Sequence, residues 1–180
     1  MFNVNTSFIT PIGLSTFEEY QPQDSLIFLN PYNQWLPATV YSSNYPCEML
    51  TITLLNPLII NDYDLEREED WKELIKESIF NYTLPRRKNL LSNEYPLDKG
   101  DMFMNITCST NQLFPIDRCG SISVISTDML KVGYVLLNSY SIPWLVYNLD
   151  YTSPQMGWTL YTSSPNYFTL ANTIYTCTSC

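Results

Sequence analysis

The chain has 180 residues and a formal net charge of −9, enough length for one domain that buries roughly two thirds of its unfolded-chain surface. Hydrophobic residues make up 45% of it, which argues against disorder, and charged residues only 15%, against about 25% in an ordinary globular chain. With nine Lys plus Arg in all, a basic face for nucleic acid or for an anionic membrane is not expected.

Histidine is absent and Ala occurs only at Ala38 and Ala171, a composition that argues against an α-rich protein. The first residues, MFNVNTSFITPIGL, lack the basic start and apolar run of a signal peptide. No apolar run approaches the ~18 residues of a membrane span. Five Cys is an odd number, so they cannot all pair within one chain, and a soluble intracellular protein with reduced thiols is the expectation.

In chain order, Phe2, Val4, Thr6 and Phe8 alternate with polar residues, the period of a half-buried strand. Short strands are expected at SLIFLN, ending at Asn30-Pro31, and at WLPATVYSS from Trp35, where Pro37 points to a sheet edge or a bulge. Cys47 to Leu55 is a β-branched and leucine-rich run that Asn56-Pro57 stops. From Asn61 to Lys88 the character changes. This stretch holds 14 of the 27 charged residues, and it alone has a helical period. Asp62 or Asp64 caps a helix whose first turn is acidic, and Pro85 blocks its continuation. Trp71, Leu74, Ile75, Ser78 and Ile79 form one stripe about 140° wide.

Two similar segments follow, Tyr95-Pro96-Leu97-Asp98-Lys99-Gly100 and Phe114-Pro115-Ile116-Asp117-Arg118-Cys119-Gly120. Pro, Asp and Gly in this order suggest a turn in each, leading into MFMNITC and SISVIST as strands of a meander. Lys131 to Asn138 is apolar on both faces, as a central strand would be. PWLVYNL, QMGWTLYT and YFTLANTIYTC are further strands, separated by Tyr-Thr-Ser-Pro and Ser-Ser-Pro-Asn turns. The fold expected is mainly β: one domain over 1–180, an antiparallel β-sandwich or barrel of jelly-roll type or similar, with one amphipathic helix inserted at about 62–80.

Without histidine, Ser-His-Asp and Cys-His catalysis cannot be assembled from this chain, nor can a His-ligated zinc site. Cys177-x-x-Cys180 with Cys108 and Cys119 could form a four-thiolate zinc site, although ten residues between the latter two is not a ribbon spacing. Asp62, Asp64, Glu66 and Glu73 follow a calcium-loop spacing only superficially, since Arg67 stands where the loop needs Gly. Glu48, Glu94, Asp98 and Asp101 could supply a glycosidase pair, but no spacing brings two together. No cofactor or metal is expected.

Charge distribution then carries the functional expectation. Residues 25–47 hold no charge, and Asp150 is the only one from Val132 to Cys180, whereas free β-proteins guard their edges with charge. Such surfaces suit a chain covered by other protein subunits. The leading expectation is a non-enzymatic structural subunit of a virion: a minor capsid, decoration, connector or fibre protein in an assembled particle. Its interface residues would be Trp71, Leu74, Ile75, Ile79, Trp144 and Trp158. The alternatives are a carbohydrate-binding β-sandwich with exposed Trp and Tyr, and a carboxylate-dependent glycoside hydrolase. If not viral, the protein is expected in the cytoplasm, with no nucleic-acid or membrane partner.

Overall fold

The computed structural model describes residues 1–10, 13–20, 27–29, 35–55, 103–118, 121–138, 144–172 and 174–179. The helix expected at 62–80, with Trp71, Leu74, Ile75 and Ile79, lies outside the described residues, as does the Tyr95–Gly100 segment.

The described chain is built of short strands. They are β1 (Ser7–Thr10), β2 (Gly13–Thr16), β3 (Ile27–Leu29), β4 (Trp35–Pro37), β5 (Thr39–Ser42), β6 (Cys47–Leu55) and β7 (Phe103–Ser109). After these come β8 (Leu113–Arg118), β9 (Ser121–Ser126), β10 (Val135–Leu136), β11 (Trp144–Gln155), β12 (Trp158–Tyr161), β13 (Tyr167–Thr169) and β14 (Tyr175–Cys177). Six of them form an antiparallel sheet in the order β7-β6-β11-β10-β8-β9, and the others pair as β1-β2, β3-β4, β12-β5 and β13-β14. The mainly-β, antiparallel expectation holds. Among the described residues no helix is long and apolar enough to cross a membrane.

Local sequence explains much of this. β6 coincides with the leucine-rich run, and its buried Met49, Leu50, Ile52, Leu54 and Leu55 suit an interior strand of the sheet, between β7 and β11. Two expected turns are strands instead. Phe114 to Arg118 runs through β8, where Pro115 pairs with Val124 and its carbonyl accepts from Leu137 N at 3.3 Å. The Tyr151–Pro154 segment continues β11, and the register shift places Ser153 and Pro154 opposite the single Glu48. A bulge accepts a proline because the extra residue makes no ladder bond.

The core is aromatic. The Phe2 ring stacks on Phe17 at 6.3 Å and meets Phe114 and Phe168 edge-on at 6.4 and 6.1 Å. Phe8 closes the cluster against Phe17, Tyr20 and Phe168. Phe2, 0% exposed, therefore anchors the first residues of the chain inside the molecule rather than at its surface.

Candidate functional site

Two strands receive the N-terminal dipeptide. Phe2 N donates to Trp158 O at 2.6 Å and Trp158 N returns a bond to Phe2 O at 2.7 Å, while Ser109 N donates to Met1 O at 2.7 Å. Met1 is thereby held between the end of β7 and the start of β12. Its α-ammonium donates to Ser109 Oγ at 2.7 Å and to Gln112 Oε1 at 2.5 Å. The hydroxyl of Ser109, at the end of β7, in turn donates a hydrogen bond to Asn111 Oδ1 at 2.6 Å.

Gln112 ties this end of the chain to β14. Its Nε2 donates to Thr176 Oγ1 at 2.8 Å and to Cys177 O at 2.9 Å, and its backbone carbonyl accepts from Thr127 Oγ1 at 2.8 Å. Residues past β14 are held in turn by β12: Ser179 N donates to Leu160 O, Thr162 N to Ser179 O, and the Thr162 and Thr178 hydroxyls lie 2.7 Å apart. Between these groups is a pocket of about 290 Å³, lined by Met1, Asn111, Gln112, Leu113, Cys177, Thr178 and Ser179. No charged side chain is among those lining residues.

Burial sets the electrostatics. Removal from water disfavours the ammonium and lowers its pKa from 8.0 to about 6, against the opposing pull of the Cys108 and Cys47 sulfurs. Burial also pushes the Cys108 thiol up to about 11 and the Cys177 thiol up to about 12. Both stay protonated near neutrality and are poor nucleophiles there. Cys108 is engaged with the Thr127 hydroxyl at 3.4 Å, and Cys47 Sγ lies 3.9 Å from Met1 Sδ.

Residues singled out from the sequence fall elsewhere. Trp144 is 0% exposed in the core, so it presents no face to a sugar or a partner, and Trp158 is half-buried against the same core. Glu48 is exposed on β6, whereas Glu94, Asp98, Asp101, Cys119 and Cys180 lie outside the described residues. Among the described residues no three His, Cys, Asp or Glu side chains converge on a common point. The residues that do converge, Met1, Ser109 and Gln112, were not marked by the sequence. Met1 lies more than a hundred positions from the other two, and the Ser-Thr-Asn-Gln run that carries those two resembles many polar turns in this chain.

The architecture is thus a mainly-β antiparallel fold that draws its first residues and its last strand to one pocket lined largely by polar residues. It is the fold of intein splicing domains. The crystal structure of the gp41-1 intein matches with a TM-score of 0.59 at 15% identity, covering 97% of this chain and 94% of that one. The solution structure of a bacterial intein-like domain from Clostridium thermocellum matches at 0.57 and 15% identity, covering 97% and 96%. The Msm DnaB1 intein splicing domain bound with zinc matches at 0.57 and 9% identity, covering 98% of each chain. No protein-family model matches the sequence, and no curated protein matches it.

These matches overturn the expectation of a non-enzymatic virion subunit, with its sugar-binding and glycosidase alternatives. The solved structures reported above, similar to this chain over nearly its whole length, are an intein, an intein splicing domain and an intein-like domain rather than capsid, decoration, connector or fibre proteins. The physical reason lies in the low charge. Ten uncharged polar residues are buried among those described, including Ser109, Gln112, Thr127, Thr176 and Thr178. Part of the neutral polar content attributed to covered outer surface belongs to an internal site.

Proposed function

We propose that the chain is a self-processing domain that cleaves, by acyl transfer to Ser109, the peptide bond joining Met1 to a residue placed before it. The observation that carries this is the position of the Met1 nitrogen, largely removed from water and 2.7 Å from Ser109 Oγ and 2.5 Å from Gln112 Oε1. A peptide nitrogen has one hydrogen, and Gln112 Oε1 is the acceptor placed to take it. Ser109 Oγ then faces the preceding carbonyl carbon. With a C–N bond of about 1.33 Å, that carbon lies no more than about 4 Å from Oγ whichever way the bond points, close enough for a small rotation to bring it into reach for attack.

In the reaction Oγ bonds to the carbonyl carbon, the C–N bond breaks, and the serine proton passes to the Met1 nitrogen. The preceding segment is left as an ester on Ser109, and water then hydrolyses it. A site that disfavours the ammonium favours departure of a neutral amine. Met1 carries a thioether and cannot accept an acyl group itself, while the Cys108 and Cys177 thiols are held protonated. The fold and the free thiols of Cys47, Cys108 and Cys177 suit a soluble, cytoplasmic setting.

A folded reporter fused directly before Met1 tests this. Release of the reporter over time is expected, leaving a product whose mass begins at Met1. Hydroxylamine should hasten release by capturing the ester, and Ser109→Ala should abolish it. A wild-type fusion that folds and stays whole would overturn the proposal.

A further inference from the structure

We infer that the residue joined to Met1 in the fused chain seats its side chain in the pocket beside the Met1 nitrogen, and that this subsite selects neutral, medium-sized residues over glycine and over acidic or basic ones. The inference rests on the self-cleavage reading for its substrate and names the class of junction that the reaction accepts.

Space around the nitrogen carries it. The Met1 nitrogen is largely removed from water. Phe2 is locked into the core on one side, and Ser109 Oγ and Gln112 Oε1 stand 2.7 and 2.5 Å away. A residue attached there needs a void beside it, and voids are few in a packed protein. The pocket of about 290 Å³ supplies one. Its lining includes Met1 itself, Gln112, which bonds the nitrogen, and Asn111, which bonds Ser109. A cavity of about 150 Å³ accommodates benzene, so this space takes one medium-sized side chain with part of its backbone.

The lining sets the selection. Leu113 and Cys177 offer apolar surface, and burial keeps the Cys177 thiol protonated. While the junction is intact the Met1 nitrogen is an amide and carries no charge. Asn111 and Ser179 are exposed, which leaves partners for a neutral polar side chain. No side chain in the lining can pair with a carboxylate or an ammonium, so moving either from water into this space is unfavourable. Glycine leaves the space empty. Leu113 is the part of the lining best suited to alteration. It is 40% exposed, and its carbonyl accepts from Thr176 Oγ1 at 2.9 Å, a bond its side chain does not make.

The test fuses a folded reporter to Met1 through Leu, Gly, Glu or Lys as the joining residue, and follows release and product mass over time. Release with Leu should be about 10-fold faster than with Glu or Lys, with Gly between them. Leu113→Lys should raise release with Glu and lower it with Lys, each by roughly 2- to 5-fold. Ser179→Lys, elsewhere in the lining, should have the same opposed effects and serves if the first variant does not fold. A parallel set carrying Ser109→Ala, with a reporter that outlasts the domain in urea, reads the subsite without the reaction. Its urea midpoint should fall from Leu to Gly to the charged residues, and Leu113→Lys should shift Glu up and Lys down. Equal release and equal midpoints for all four joining residues would overturn the inference, as would a Leu113→Lys effect that is the same for Glu and Lys. Graded midpoints with no release from any fusion refute only the self-cleavage, and release at one rate with every joining residue refutes only the subsite.

Discussion

Gln112 is the residue on which both ends of the site depend. Its amide oxygen accepts from Met1 and its amide nitrogen donates to Thr176 and to the Cys177 carbonyl. Replacement by leucine preserves approximate size but leaves a buried ammonium and a buried carbonyl without these partners. Such unmet groups cost about 1–3 kcal/mol each. Gln112→Leu should therefore destabilise the fold by about 2–3 kcal/mol in urea unfolding, and slow reporter release from the fusion beyond what the stability loss explains. An unchanged urea midpoint would show that water replaces the amide without cost. Nothing in the sequence distinguishes this glutamine, because its role comes from partners 64 and 65 positions further on and 111 positions back.

At the level of elements, strands were legible where apolar period and chain breaks agreed, as at β6, which matches Cys47–Leu55 end to end. Proline misled where it was taken to end a strand: Pro115 sits within β8, and Pro154 within the bulge of β11. β12 shows how an element positions the site. Just before it, Gly157 O accepts from Ser43 N at 2.8 Å, and Gly157 N donates to Ser43 Oγ at 2.9 Å, so the backbone there is held. A methyl group on Gly157 would lie 2.6 Å from Met1 Cβ and 3.1 Å from Met1 Sδ. Met1 is the part able to move. Gly157→Ala should displace its nitrogen from Ser109, stop reporter release, and cost about 1–3 kcal/mol of stability by overpacking. Release at the wild-type rate in that variant would place the reactive nitrogen elsewhere.

Across the whole molecule, the mainly-β class followed from scarce alanine, frequent proline and period-two strands, whereas the site did not, because it is assembled from the first residue, the turn after β7 and the last strand. Searching for histidine could not find a cluster made of serine, glutamine and an amine. The same absence of histidine makes one property of the folded chain measurable. Burial moves the Met1 amine from 8.0 to about 6 and moves Cys108 and Cys177 well above neutrality. Between pH 6 and 8 the unfolded chain binds a proton at Met1 that the folded chain does not. Unfolding free energy therefore increases with pH across that window. The stability is fully present above pH 8, is lost progressively as pH falls through the folded value near 6, and changes little from this group below it. A two-unit shift corresponds to about 2–3 kcal/mol, or roughly 5–10 °C in Tm for a chain of this length. Thermal melts from pH 5.5 to 8.5 should show the increase in the chain with a free Met1 amine and lose it after α-acetylation. The same slope in both forms would mean that another group titrates there and that the amine is not desolvated.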